Sequence, residues 1–283
     1  MNVWSPARYL AGAAGSARTR PALDLLAGIL AHIPDPTHVS SVVDVGCGAG
    51  NMFPHFASAF PSASLLGVDA SQEMLDAAAD ATSSLPQTSL KLATFEDLPE
   101  LESPADVVYS NAALHWADPS AFPSIVSAML DPAFLAPGGV VGIQMPDTRA
   151  QNSHLLMLGT LRESQWAGEI DVDSLRVPTV AMDAAQYVDL IKGLNPDGGL
   201  VVDAWTTQYV MELEGDNPVH AFTRETGLKP ILNALAALDP SGGAQAEYEA
   251  QYAAAVASAY PPSPDGKTLF PFSRLFLVVS KPL

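Results

Sequence analysis

The sequence predicts an α/β fold: a seven-stranded, mostly parallel sheet with helices on both faces and an inserted helical cap. Three observations lead there. Short β-branched runs alternate with helical stretches from Ser41 to Met145, the pattern of a parallel sheet wound on both faces. A strand feeds directly into a glycine-rich turn at Gly46. The alternation lapses after Pro146 and resumes at Val201, which reads as an insertion capping the sheet.

Pro21 followed by Leu23, Leu25, Leu26, Ile29 and Leu30 reads as an amphipathic helix with proline in its first turn. Ser41–Val45 is a buried strand. A helix over 51–60 follows, and Pro61 ends it. Ser64–Val68 is the next strand, and Ser71 caps a helix whose apolar face holds Met74, Leu75, Ala78 and Ala79. Strands follow over 90–93 and 105–110, then a helix over 121–130. Pro137-Gly138-Gly139 makes a turn into a strand over 140–145. Beyond it lie helices over 152–165 and 183–194, a long strand over 201–213, helices near Pro218, Pro230 and Ala244, and a closing strand over 273–280. The expected organisation is one domain: 1–40 a helical lid, 41–146 a cofactor-binding core, 147–200 the inserted cap, and 201–283 the rest of the sheet with substrate-side helices.

With 283 residues and 48% hydrophobic content the chain can bury one large core. Its 31 acidic and 13 basic residues give a net charge of −18, a field that repels nucleic acid and anionic lipid. An acidic ligand would need the few cations gathered in one pocket. Cys47 is the only cysteine, so no intrachain disulfide and no cysteine-built metal site is possible; this fits a cytoplasmic protein. The apolar run 22–33 behind Arg18 and Arg20 faintly resembles a signal or transit peptide, but Asp24 and His32 interrupt it, and the first helix of the fold is the better reading.

The most specific feature is Val42-Val43-Asp44-Val45-Gly46-Cys47-Gly48-Ala49-Gly50. Gly46 and Gly48 let the backbone turn sharply and approach a ligand, and Gly50 lets the next helix start close to the sheet. The spacing departs from the dinucleotide fingerprint, and Asp44 would repel a pyrophosphate while suiting an ammonium group. This disfavours a dehydrogenase. Asp69, ending the next strand, can take both hydroxyls of a ribose, with Ala70 and Met74 just beyond it. Such charge-assisted bonds are worth roughly 1.5–3 kcal/mol each. Phe95 is placed near an adenine ring and Asp97, beside Glu96, near its amino group; a solvated turn explains Asp97 equally well. Asn111-Ala112-Ala113-Leu114-His115-Trp116 runs off another parallel strand. Ligands bind beyond such ends, so Asn111 and Ala112 belong near the cofactor and His115 and Trp116 near the acceptor. His115 could serve as a general base, but a packed, neutral ring is favoured.

These elements resemble class I S-adenosylmethionine-dependent methyltransferases with a Rossmann-like core, and further segments resemble the trans-aconitate methyltransferase family. They are Trp4-x-Pro6-x-x-Tyr9 with Arg18-x-Arg20-Pro21, Gln144-Met-Pro-Asp147 with Ser153-His154, and Trp205-x-Thr207-x-Tyr209. Thr226-Gly-Leu-Lys-Pro230, Tyr260-Pro261 and Phe270-Pro-Phe-x-Arg274-x-Phe276 complete the set. The resemblance implies S-adenosyl-L-methionine as cofactor and methyl transfer to one carboxylate of a small polycarboxylic acid. Trans-aconitate is the type substrate, and isopropylmalate is one for fungal relatives. The sequence departs from the family at Lys229, where arginine is usual, and at Phe222-Thr-Arg-Glu225 in place of Trp-x-Lys-Gly. Lysine cannot make a bidentate grip, so the departures bear on which acid is used.

A carboxylate with a pKa near ~4 is ionised at neutral pH and needs no general base, so no catalytic residue is expected beyond positioning groups. Remaining carboxylates need anchors: Arg18, Arg20, Lys229 and Arg274, with Tyr9, Gln144, Trp205 and Tyr260 shaping the pocket. No metal, nucleic acid or membrane is expected, and the chain reads as a monomer. Two alternatives stand: a biosynthetic methyltransferase acting on another carboxylate, a hydroxyl or a carbon centre, or a cofactor-binding partner without catalysis.

Overall fold

The computed structural model describes residues 13–98, 103–172, 175, 177, 179–195 and 199–282, excluding the side chains of 13–18. The elements run α1 (Ala13–Ala31), β1 (Ser41–Val45), α2 (Phe53–Ala59), β2 (Ser64–Asp69), α3 (Gln72–Ala81), β3 (Thr88–Leu92), β4 (Ala105–Asn111), α4 (Phe122–Leu130) and β5 (Leu135–Pro146). There follow α5 (Asn152–Glu163), α6 (Ala184–Gly193), β6 (Val201–Leu213), α7 (Pro218–Arg224), α8 (Lys229–Leu238), α9 (Gly243–Ala259) and β7 (Thr268–Ser280). The seven strands form one sheet in the order β3-β2-β1-β4-β5-β7-β6. Strands β1 to β5 pair in parallel, and β7 runs antiparallel to β5, as the sequence led us to expect of a mostly parallel sheet.

The described residues fall into two compact units. The first takes those of Met1–Pro146, Val180–Thr207 and Arg274–Leu283; the second takes Asp147–Thr179 and Gln208–Ser273. In the first unit one face of the sheet buries Val43, Val45, Val108, Val141, Ile143 and Leu277 against Ile125, Met129, Tyr187 and Ile191 of α4 and α6. The opposite face packs on α1. Gly142 has no room for a Cβ because Ile29 fills it, and the Tyr109 hydroxyl donates to the Ala22 carbonyl at 2.9 Å. In the second unit α9 packs on α5, and the Tyr248 hydroxyl donates to the Met157 carbonyl at 2.9 Å.

Four expectations change. The stretch 147–200 is not one cap: α6 lends Tyr187 and Ile191 to the sheet core, so 180–200 belongs with the first unit, and 147–179 joins 208–273. The first helix starts eight residues before Pro21, which sits inside it, because Ala13–Arg20 is helix-compatible yet lacks the apolar period that sequence reading relies on. The Pro137-Gly138-Gly139 turn is instead an irregularity inside β5: Ala105 pairs with Leu135, the register slips by three residues, and Val107 pairs with Val140, with Gly138 at φ 74° within the slipped stretch. Strand β7 also runs through Pro271 rather than starting after it.

Candidate active site

Beyond the carboxyl ends of β1, β2 and β4 the first unit encloses a cavity of about 400 Å³. The glycine turn forms its floor. Gly46, Gly48 and Gly50 have φ of 79°, 54° and 79°, a region costing other residues roughly 1–2 kcal/mol. The three have different neighbours. A Cβ at Gly46 would collide with the Ala113 Cβ; one at Gly50 would press within 3.2 Å of the Ala78 Cβ on α3; one at Gly48 would meet nothing within 4 Å. Gly48 therefore faces the open cavity, while Gly46 and Gly50 let the chain pack.

Asp69 ties this wall together. One carboxylate oxygen accepts from the Gly48 N–H and the other from the Ser71 N–H, each at 2.9 Å. Each oxygen has a lone pair left, so the carboxylate can still accept from a ligand. Asp44 is buried, and burial pushes its carboxyl well above the usual carboxylate range, with the Asp69 charge adding to the effect. Burial, followed by the charges of Asp44 and Asp69, also raises the Cys47 thiol.

Of the residues singled out for a cofactor, Asp44, Gly46, Cys47, Gly48, Asp69, Ala70, Met74, Phe95, Asn111 and Ala112 line the cavity. Gly50, Glu96 and Asp97 do not; Gly50 spaces α3, and both acids are exposed. Sequence reasoning missed Asn51, Met52, Ser71, Tyr109 and Ala113 in the lining. Tyr109 was within reach of it: it lies two residues before Asn111, on the same sheet face, and pairs with Asp44.

The acceptor-side residues divide. Trp116 lines the cavity. His115 is buried, its ring centroid 5.2 Å from that of Trp116. Gln144 pairs with Asn111 across β4 and β5; it is 1% exposed, and neither its Nε2 nor its Oε1 has a hydrogen-bond partner. Asn111 Oδ1 is in the same state. An unsatisfied buried amide costs roughly 1–3 kcal/mol. Arg274 is 7% exposed and pairs with Pro146, two residues along β5 from Gln144. Trp205 stacks on Phe276 at 4.8 Å with an interplanar angle of 2° and covers Gly28, so it is a packing residue of this unit rather than part of the lining. Arg20 is exposed, 3.9 Å from Asp24. In the second unit Lys229 begins α8 and is half-buried, and the Tyr260 hydroxyl accepts the Ser153 N–H at 3.1 Å, holding the start of α5. His154 follows it, held by burial at a pKa of about 4. Tyr9 and the Arg18 side chain lie outside the described residues. Among the described residues no group of His, Cys, Asp and Glu could hold a metal ion, and no helix is long and apolar enough to cross a membrane.

Comparison with known proteins gives these features a context. A family described as a methyltransferase domain matches residues 42–139. The chain is 37% identical over 280 residues to a trans-aconitate 2-methyltransferase from Methylobacterium nodulans, covering 98% of each chain. It is 34% identical over 277 residues to one from Rhodococcus jostii, again covering 98% of each. Among solved structures it is similar to the YcgJ protein of Bacillus subtilis, with a TM-score of 0.54, 16% identity, and coverage of 92% of this chain and 99% of that one. It is also similar to phosphoethanolamine N-methyltransferase 2 of Haemonchus contortus in complex with S-adenosyl-L-methionine, with a TM-score of 0.51, 17% identity, and coverage of 100% of this chain and 61% of that one. At these identities the structures speak to the fold.

Proposed function

The chain belongs to the trans-aconitate methyltransferase family, and on that premise we propose that it converts a small polycarboxylic acid, trans-aconitate first among them, to its monomethyl ester with S-adenosyl-L-methionine as cofactor. The observation that carries this reading is the end-to-end match to curated trans-aconitate 2-methyltransferases at 33–37% identity.

The residues at the cavity fit the cofactor. Asp44 offers an acid to an ammonium group, and binding a cation there relieves the cost of ionising a buried carboxyl. Asp69 keeps a free lone pair on each oxygen for ribose hydroxyls, and Gly48 leaves the backbone bare for close approach. Phe95 and Met74 supply apolar walls, and Asn111 and Ala112 close the methionine end. When bound, the cofactor supplies a methyl group on a sulfonium: the acceptor oxygen forms the new O–C bond as the C–S bond breaks and its electron pair goes to sulfur, so no proton moves.

No general base is therefore required, and a packed His115 suits that. The protein's contribution is alignment, worth several kcal/mol and up to roughly 7–11 in the best cases. Trp116 shapes the space beside the cofactor. Arg274 pairs with a carboxylate that does not react and fixes the other end of the acid.

The test is turnover with a panel of acceptors: trans-aconitate, isopropylmalate, a monocarboxylate and a neutral hydroxyl compound, with the product identified by mass. The expected product is a trans-aconitate monomethyl ester. Methylation of the neutral acceptor alone would end the polycarboxylate reading.

A further inference from the structure

Two strand ends of the first unit carry amides that folding leaves unused. Gln144 is 1% exposed with its Nε2 and Oε1 unpartnered, and Asn111 Oδ1 beside it is unpartnered too. Register places them together: Asp44 pairs with Tyr109, and Asn111 pairs with Gln144. Residues in register share a sheet face, as do residues two apart on a strand. Asp44, Tyr109 and Asn111 line the cavity; Gln144 is not in the lining but is next in their row, toward β7. Its backbone is committed, since the Gln144 carbonyl accepts the Ala112 N–H at 2.9 Å and Ala112 is held at φ 51°. Buried polar groups are nearly always paired; a buried amide with both ends free, in register with a residue of the cavity lining, is a place where a ligand can supply the missing partners.

We propose that Gln144 Nε2 donates a hydrogen bond to the carboxylate that receives the methyl group, an inference that rests on the polycarboxylate reading above. The chemistry favours a neutral donor at that position. The reacting carboxylate loses its charge as the ester forms, so a lysine or arginine there would stabilise the starting anion more than the transition state and slow the step. An amide orients the oxygen while drawing off less of its charge. Cationic Arg274 suits a carboxylate whose charge persists, and the two residues together would decide which carboxylate is methylated.

The experiment uses Gln144→Leu and Gln144→Met, which keep the volume and remove the amide. Trans-aconitate is titrated calorimetrically into protein saturated with S-adenosylhomocysteine, and KM, kcat, S-adenosylhomocysteine affinity and the unliganded Tm are measured alongside. Loss of a hydrogen bond to a charged group should weaken trans-aconitate binding about 10- to 100-fold. S-adenosylhomocysteine affinity should be retained, and Tm should be equal or higher because an unsatisfied buried amide is gone. Parent-like trans-aconitate binding in either folded variant overturns the assignment. So does a parallel loss of S-adenosylhomocysteine affinity, which would give the amide to the cofactor, and so does a large fall in Tm in both variants, which would make it structural. If the parent binds no trans-aconitate but methylates another acid of the panel, the trans-aconitate reading fails by itself, and KM for that acid decides on Gln144. If the parent methylates no carboxylate, both fail.

Discussion

The two ends of the cavity are built differently. At the glycine turn the protein's own groups are engaged: Asp69 accepts from Gly48 and Ser71, and Gly46 and Gly50 are packed against Ala113 and Ala78. At the end of β4, Asn111 Oδ1 is buried without a partner, and so are both amide atoms of Gln144, which pairs with Asn111 from β5 behind the lining. The first end is a finished scaffold that a ligand joins through spare lone pairs and bare backbone. The second is finished only when a ligand arrives. Damage at the first should therefore cost both architecture and cofactor affinity, whereas damage at the second should cost acceptor recognition and spare the fold.

Gly48→Val should be the most severe change. It puts a β-branched residue at φ 54° and fills the open side of the turn, so S-adenosylhomocysteine affinity should drop about 100-fold or more from backbone strain and overfilling combined. Calorimetric titration on protein shown to be folded by circular dichroism measures it. Asp69→Ala comes next, losing roughly 2–3 kcal/mol of cofactor binding together with a lower Tm, since Gly48 and Ser71 lose their acceptor. An unchanged Tm would mean that the scaffold does not need this carboxylate. Arg274→Met probes the other end. KM for trans-aconitate should rise about 10-fold or more with cofactor affinity unchanged, and Lys229→Met, at a half-buried position, should raise it by less than about 5-fold.

Asp44 links the comparison to pH. Its carboxyl is raised in the folded protein, so its contribution to folding is fully present below the ordinary carboxylate pKa and is lost as pH rises through the folded value. A bound ammonium favours the ionised form, so cofactor affinity should strengthen with rising pH and a proton should be released on binding. Titration in buffers of different ionisation enthalpy reads the proton directly, and Asp44→Asn should flatten the profile. The smallest effect is expected at Asp97, exposed and outside the lining: Asp97→Ala should change cofactor affinity by less than about 2-fold.

The scaffold end was legible in the sequence because it is written in backbone chemistry. Three positions at positive φ require glycine, and a strand with an acid before them leaves few alternatives. The unfinished end was only partly legible. Gln144 stands in a row of apolar residues, but nothing in the linear sequence says that its amide is unpartnered; that depends on β4 lying alongside in register. Ala113 enters the site through its contact with the space at Gly46, a tertiary approach no local pattern encodes. The 147–200 stretch was misread for a related reason. Whether α6 covers the sheet or leaves it is decided by the fit of Tyr187 and Ile191 into the core, not by their spacing.

Cys47 carries a last consequence. A sulfonium methyl donor is an alkylating agent, and the cavity that receives it is lined by a thiol. A thiolate there would be a competing nucleophile, able to capture the methyl group as an inert thioether and poison its own enzyme after one turnover. Burial first, and then the acids Asp44 and Asp69, push the thiol above its ordinary range and so disfavour the thiolate. The acids that suit the donor thus also protect the protein from self-alkylation.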